Sequence, residues 1–113
     1  MSRVAFLGTP DAALPTLRSL AAGHDVPVVI TQPDRHRGRG RAITAPPVKM
    51  EADRLGLPSL QPTSAEELKE ALQSAGHLDL AIVVAYGRIL RPEALAVPAS
   101  GMLNLHFSLL PRW

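Results

Sequence analysis

The run LDLAIVVAYG at residues 78–87 decides the fold class of this chain of 113 residues. Its aliphatic residues follow one another without the polar alternation of a half-exposed strand, as in a strand that is buried on both faces. The run is also far shorter than the roughly 20 apolar residues of a membrane-spanning helix. It predicts the central strand of a soluble α/β domain.

Further strands and helices are predicted on both sides of this run. The predicted strands are RVAFL (3–7), VPVVIT (26–31), LPSL (57–60) and GMLNLH (101–106). Apolar residues at helical spacing predict helices over 11–23, 47–55 and 64–75, the last begun by a Ser64–Glu67 capping box. Strands that alternate with helices predict a parallel sheet with right-handed crossovers. The predicted fold class is α/β, a Rossmann-like parallel sheet flanked by helices.

In such sheets, ligands bind beyond the carboxyl ends of the strands. The predicted strand ends bring four segments to this edge, namely Gly8–Pro10, Thr31–Asp34, Tyr86–Leu90 and His106–Pro111. The polar and conformationally unusual residues of the chain gather in these segments. We therefore expect the functional site at the carboxyl edge of the sheet.

Asn104 and His106 are the first candidates for catalysis. Side chains at positions i and i+2 of a strand point to one face, about 7 Å apart. An amide and an imidazole side by side can stabilise the oxyanion of a tetrahedral intermediate, and the imidazole can also transfer protons near neutral pH. The alternative is that both groups only cap neighbouring backbone at the end of a strand.

Two neighbouring segments could line a ligand pocket. SLLP (108–111) is a stiff, mostly apolar corner, and AYGRIL (85–90) contains Gly87, which permits a turn that leaves backbone groups free for a planar heterocycle. The alternatives are ordinary loop packing for the first segment and, for the second, a loop glycine followed by a solvated Arg88.

A basic segment follows the second predicted strand. Residues 33–49 hold five basic side chains against one acidic one, so their net charge is +4 and the remainder of the chain carries −2. Arginines at 35, 37, 39 and 41 on a flexible loop match phosphate oxygens of a nucleic acid, and without interleaved aromatics phosphate contacts are favoured over base readout. The alternative is a solvated loop with incidental charge. The Pro, Gly and Arg content predicts no regular structure over 32–47.

Several classes of site are not expected. The chain has no cysteine, so disulfides and thiolate metal sites are excluded, and His24, His36 and His77 lack partners at metal-ligand spacing. The first residues do not have the pattern of a signal peptide. We expect a cytoplasmic protein without a metal and without a membrane partner.

Six segments together resemble the N-terminal part of the methionyl-tRNA formyltransferase family. These are FLGTPD (6–11), TQPDRHRGRGR (31–41), APPVK (45–49), GLPSLQP (56–62), VVAYGRIL (83–90) and NLHFSLLPRW (104–113). The resemblance implies a formyltransferase fold, with residues 1–113 forming part of the N-terminal formyltransferase domain. It also implies that the remaining strands and the C-terminal domain are absent. We therefore expect a truncated chain that is inactive by itself.

The resemblance implies transfer of a formyl group from 10-formyltetrahydrofolate to the α-amine of methionine on initiator tRNA by an enzyme that is monomeric at full length. It makes Asn104 and His106 the catalytic pair. The folate-binding residues that it implies are Ser108, Leu109, Leu110, Pro111, Arg88, Ile89 and Leu90. The loop that enters the tRNA acceptor arm matches Arg39 with Gly38, Gly40 and Arg41, and Arg35 and Arg37 belong to the same basic segment.

Phe107 and Ala12 stand where this family more often has glycine and phenylalanine, and Phe107 narrows the space beside His106. The family's downstream aspartate, which orients the histidine, is not in this sequence. One alternative is a sibling formyltransferase that acts on an amino sugar or a purine precursor, against which the basic segment argues. The other is a non-catalytic remnant that binds folate or RNA.

Overall fold

The computed structural model describes residues 2–37 and 42–105, with residues 36 and 37 described by their backbone alone. In chain order the elements are β1 (Val4–Gly8), α1 (Leu14–Gly23), β2 (Val29–Ile30), β3 (Arg35–Arg37), β4 (Ala42–Thr44), α2 (Pro47–Leu55), β5 (Ser59–Leu60), α3 (Ala65–Ser74), β6 (Leu80–Val84), α4 (Pro92–Leu95) and β7 (Met102–Leu105). A short 3-10 turn, Asp11–Ala13, precedes α1.

The main sheet is parallel and has the strand order β5-β2-β1-β6-β7. β6 is an interior strand, paired with β1 from Val4↔Leu80 to Gly8↔Val84 and with β7 from Ala81↔Met102 to Val84↔Leu105. The predicted α/β class and the parallel sheet are therefore confirmed.

The central strands β1 and β6 are buried on both faces of the sheet because helices cover each face. Phe6 packs into one apolar cluster with Leu17 of α1 and Val48 of α2, whereas its neighbour Leu7 packs into a second cluster with Leu72 of α3. Each fully buried side chain of this size stabilises the fold by roughly 1.5–3 kcal/mol. Burial on both faces explains why the strand sequences are apolar without alternation.

The helix ends follow the predicted signals in part. Pro47 begins α2, and Gly56 ends it with the left-handed φ of 74°. Ser64 Oγ accepts the N–H of Glu67 at 3.1 Å, as predicted. The other half of the predicted capping box is wrong, because the carboxylate of Glu67 accepts from the backbone N–H and the hydroxyl of Thr63 instead.

The second strand is shorter than predicted, covering Val29–Ile30 rather than 26–31. Pro27 has no N–H to donate to a neighbouring strand, so pairing before it is irregular. The chain still runs beside β1 there, since Phe6 N–H donates to Val28 O at 3.2 Å.

The prediction of an irregular loop over 32–47 is wrong. β3 and β4 form an antiparallel hairpin with the register Arg35↔Thr44, His36↔Ile43 and Arg37↔Ala42. The composition of this segment gave the wrong prediction because its prolines flank the paired residues and its two glycines lie between them. Three residues on each side were enough for pairing. The strands β3 and β4, called the arginine hairpin below, follow the carboxyl end of β2 and carry Arg35 and Arg37.

Candidate functional site

Hydrogen bonds join the carboxyl ends of three strands at one edge of the sheet. The carbonyl oxygen of Tyr86, just after β6, accepts from the hydroxyl of Thr9 after β1 at 2.8 Å. The same oxygen accepts from the Nε2 of Gln32 after β2 at 3.1 Å. The loop that follows β6 is thus fastened to both neighbouring strand ends.

This loop has an unusual backbone. Ala85 has a φ of 52° and Gly87 a φ of 94°. A non-glycine residue with positive φ costs of order 1–3 kcal/mol and persists where its surroundings hold it. Here the two hydrogen bonds to the carbonyl of Tyr86, which lies between Ala85 and Gly87 in the chain, hold this backbone in place. Strain of this kind concentrates at ligand-binding sites.

Gln32 is bonded at both ends of its amide, because its Oε1 also accepts from Arg88 Nε at 2.7 Å. Its backbone carbonyl accepts from Gln61 Nε2 at 3.1 Å, and the same nitrogen donates to Asp34 Oδ1 at 2.6 Å. Sequence reasoning placed Thr31–Asp34 at this edge but gave Gln32 and Gln61 no role. The only signal was the position of Gln32 directly after a buried strand.

Gly8 in the first strand-to-helix turn is required for packing. A Cβ there would lie 2.9 Å from the carbonyl oxygen of Val84 and 2.9 Å from Phe6 Cε2. The carbonyl of Thr9 accepts the N–H of Val48, in the first turn of α2, at 3.2 Å. This turn therefore brings β1, β6 and α2 together, and its Thr9 hydroxyl also bonds the loop after β6.

A cavity of about 360 Å³ lies between this loop and β7. Its lining residues are Val83, Ala85, Tyr86, Gly87, Arg88, Ile89, Leu90 and Asn104. The side chain of Asn104 is exposed, and Ile89 is 90% exposed at the rim. An apolar rim, backbone polar groups of a strained loop and one amide side chain fit a planar heterocycle that carries hydrogen-bonding groups.

Two further cavities adjoin the same loop. One, of about 390 Å³, is lined by Gln32, Pro33, Asp34, Arg35, Gly87 and Arg88. The other, of about 360 Å³, is lined by Ser64, Ala65, Leu68, Tyr86, Arg88, Ile89 and Arg91. Arg88 lines all three cavities. The root of the arginine hairpin therefore lies directly beside the cavity that contains Asn104.

The charges around the loop follow from its contacts. Burial raises the pKa of the Tyr86 hydroxyl, and the positive charge of Arg88 opposes that rise only in part. The N–H of Thr63 lowers the pKa of the Glu67 carboxyl. At neutral pH the buried phenol of Tyr86 is therefore neutral, and the carboxylate of Glu67 at the start of α3 is ionised.

The predicted site residues fall into three groups. Asn104, Arg88, Ile89 and Leu90 share one cavity, and Arg35 lines the adjoining one. Arg37 is described by its backbone alone, in β3. The remaining candidates lie outside the described residues: His106, Ser108, Leu109, Leu110, Pro111, Gly38, Arg39, Gly40 and Arg41.

Two searches cover only the described residues. Over 2–37 and 42–105, none of the helices has both the length and the apolar character to span a bilayer. In the same part of the chain, no three His, Cys, Asp or Glu side chains come together as a metal site would require.

Several known proteins with similar sequences are methionyl-tRNA formyltransferases. The chain is 51% identical to a methionyl-tRNA formyltransferase of Xanthomonas euvesicatoria over 98% of its length, and 52% identical to one of Moorella thermoacetica over the same share. In both cases the match covers 36% of the relative, so the chain spans about a third of the length of these proteins.

A solved structure and a family model also belong to the formyl transferases. The structure of glycinamide ribonucleotide transformylase 1 from Symbiobacterium toebii superposes with a TM-score of 0.64 at 27% identity, covering 98% of this chain and 54% of that one. The family model described as formyl transferase matches residues 2–113. The chain therefore belongs to the formyl transferase family.

Proposed function

We propose that this chain forms the folate-binding part of an enzyme that formylates the methionine esterified to initiator tRNA in the cytoplasm. The formyl donor in this proposal is 10-formyltetrahydrofolate, and the full-length enzyme acts as a monomer without a metal. The relatives named methionyl-tRNA formyltransferase support this choice among formyl transfers.

The observation that carries the proposal is the cavity that Asn104 shares with the loop after β6. In this proposal the pterin lies against Arg88, Ile89 and Leu90, and the formyl group points towards Asn104. The backbone around Ala85 and Gly87, which both have positive φ, presents hydrogen-bonding groups to the ring in this proposal. The exposed Ile89 covers one of its faces.

The chemistry requires groups that stabilise a negative oxygen. The neutral α-amine attacks the formyl carbon, the carbonyl oxygen becomes negative, and the bond from that carbon to N10 of the folate then breaks. The amide N–H of Asn104 donates to the oxyanion. We propose that His106 transfers the proton from the attacking amine to the leaving nitrogen, and that Ser108, Leu109, Leu110 and Pro111 complete the folate pocket.

The arginine hairpin supports an RNA acceptor. It leaves the sheet at Gln32, and its root residue Arg35 lines the cavity next to the one that holds Asn104. A cationic segment beside a transfer site fits an acceptor that carries phosphates. We propose that Arg35, Arg37, Gly38, Arg39, Gly40 and Arg41 contact the acceptor arm of the tRNA.

The test is an acceptor comparison with protein expressed from the complete reading frame that encodes this segment. Three acceptors are offered together with 10-formyltetrahydrofolate: methionyl-initiator tRNA, an amino-sugar nucleotide and glycinamide ribonucleotide. We expect formylation of the charged tRNA, with the other two acceptors at least a hundredfold slower. Equal or faster transfer to the sugar or the purine precursor would contradict the proposed acceptor. Absence of transfer to all three would contradict the proposed activity.

A further inference from the structure

Gln32 links the end of β2 to the loop after β6 through two side-chain hydrogen bonds. Its Nε2 donates to the carbonyl of Tyr86 at 3.1 Å, and its Oε1 accepts from Arg88 Nε at 2.7 Å. One planar amide therefore fixes both the backbone and the side chain of the loop after β6. An amide can do this because it carries an acceptor and a donor side by side.

The loop is also shaped to receive this side chain. A Cβ at Gly87 would lie 3.1 Å from Gln32 Nε2 and 3.8 Å from its Cγ. Gly87 thus provides the positive φ of the turn and the space into which the glutamine fits. Both features are needed for the two hydrogen bonds of Gln32 to form together.

The Arg88 side chain, which Gln32 holds, lines all three cavities around the loop after β6. Arg88 lines the cavity with Asn104, the cavity at the start of α3 and the cavity at the hairpin root. Its guanidinium ends a long side chain, so an unfastened Arg88 would sample several rotamers. Because the guanidinium group is planar, the hydrogen bond from Arg88 Nε also fixes the direction of its two terminal nitrogens.

We infer that Gln32 is a positioning residue for folate binding. It does not contact the reacting atoms; it holds the Tyr86 carbonyl and the Arg88 guanidinium in the arrangement that binds the pterin. This inference rests on the proposed function, since it names the ligand of the same site. It assigns to the TQPD segment a role in the folate pocket, although the segment lies in the chain next to the arginine hairpin.

The experiment measures folate affinity directly, with the stable isomer 5-formyltetrahydrofolate as the probe and protein from the complete reading frame. Gln32→Met keeps the length of the side chain but removes both hydrogen bonds. We expect its Kd for the probe to rise at least tenfold, and the KM for 10-formyltetrahydrofolate to rise with it, while kcat and the KM for tRNA change less than threefold. This split distinguishes positioning of the folate site from a general loss of structure.

Gln61→Met is the matched control, because it makes the same chemical change at a side chain that bonds Gln32 through the backbone and does not line the three cavities. We expect its Kd for the probe to stay within twofold of wild type. Gln32→Glu is the second variant, which keeps an acceptor for Arg88 but has no donor for the Tyr86 carbonyl. We expect a Kd between those of wild type and Gln32→Met, at least threefold above wild type.

Two results would overturn the role of Gln32. One is a wild-type Kd in both Gln32 variants, or in Gln32→Glu if Gln32→Met does not fold. The other is an equal loss of affinity in Gln61→Met and Gln32→Met. The failure of the proposed function is a different result, because wild-type protein would then bind no 5-formyltetrahydrofolate at all, and this inference would fall with it.

Discussion

Arg3 at the amino edge of the sheet and Arg88 at the carboxyl edge are used in opposite ways. Arg3 Nε donates to His77 O at 2.8 Å, one terminal nitrogen donates to Ala75 O at 2.6 Å, and the other pairs with Asp25 at 3.0 Å. Arg88 has one such bond within the described residues, from Nε to Gln32, and lines three cavities.

Asp79 at the amino edge is paired with its neighbours in the same way. Asp79 accepts the backbone N–H of Arg3 at 2.8 Å and pairs with His77 Nε2 at 2.9 Å. Partners that satisfy one another stabilise the fold but offer nothing to a ligand. At the carboxyl edge, the hydrogen bonds of Thr9 and Gln32 instead hold the loop after β6 in a conformation with positive φ at Ala85. A single sheet thus has one edge where charged groups pair with one another and one edge that carries the cavity with Asn104, where we propose that folate binds.

The largest effects, on turnover and on stability, are expected from substituting one residue at each edge in turn. Asn104→Ala removes the proposed oxyanion donor. Loss of such a donor typically costs roughly 3–4 kcal/mol of transition-state stabilisation, so we expect turnover to fall more than a hundredfold. Its free energy of unfolding should change by less than about 0.5 kcal/mol, because the side chain is exposed. Steady-state formylation and urea unfolding measure the two quantities.

Arg3→Met should give the opposite result. Loss of three side-chain hydrogen bonds at a partly exposed site should lower the free energy of unfolding by about 1–2 kcal/mol. Turnover at a temperature where the protein stays folded should remain within twofold of wild type. If Arg3→Met lowered turnover as strongly as Asn104→Ala, the two edges would not differ in function.

The sequence predicted this division only in part. The continuous apolar run of β6 and the alternation of strands with helices were sufficient for the parallel sheet, and the rule for parallel sheets then placed the site at the carboxyl edge. Asn104 and the segment 85–90 were predicted for that edge, and they line one cavity. Their catalytic and folate-binding roles stay predictions.

Long-range polar contacts could not be predicted. A glutamine after a strand does not reveal which carbonyl its amide will meet, so the bonds from Gln32 to Tyr86 and Arg88 needed the fold first. The hairpin was missed for a different reason, since strands of three residues carry too little periodicity to be seen. Arg3 gave no signal, because its partners lie more than 20 residues away.

A smaller effect is expected from two glycines that differ in their surroundings. Gly87 and Gly56 both have positive φ, 94° and 74°, but only Gly87 has a neighbour within 4 Å of an added Cβ. Alanine at either position should lower the free energy of unfolding by about 1–2 kcal/mol, because L-residues disfavour this backbone conformation. Only Gly87→Ala should displace Gln32 and raise the Kd for 5-formyltetrahydrofolate, at least fivefold.

Gly56→Ala is thus the control for backbone strain, since Gly56 ends α2 at a distance from the loop after β6. Thermal or urea unfolding and titration with the folate give the two quantities for each variant. An equal loss of folate affinity in both alanine variants would show that the carboxyl edge responds to stability in general. Unchanged affinity in Gly87→Ala would mean that the fit between Gly87 and Gln32 does not shape the site.

The smallest effect concerns acid sensitivity at the amino edge. The backbone N–H of Arg3, and secondly the hydrogen bond from His77, lower the pKa of the Asp79 carboxyl. The unfolded chain therefore takes up this proton at a higher pH than the folded one. Asp79 thus stabilises the fold above its ordinary pKa of 3.8, and this contribution is lost as the pH falls through the lower, folded value.

Asp79→Asn should flatten the decline of the unfolding free energy below about pH 4. Glu51, whose pKa is lowered to about 2 by Arg54 and Arg18, titrates in both proteins, so the difference between the two curves isolates Asp79. Asp53→Asn on the exposed side of α2 controls for the change in net charge. Urea unfolding at intervals from pH 7 to pH 2.5 gives the curves. Parallel curves for wild type and Asp79→Asn would mean that the ionisation of Asp79 contributes nothing to stability, and the contacts of Arg3 with Asp25, Ala75 and His77 would then be what holds the amino edge together.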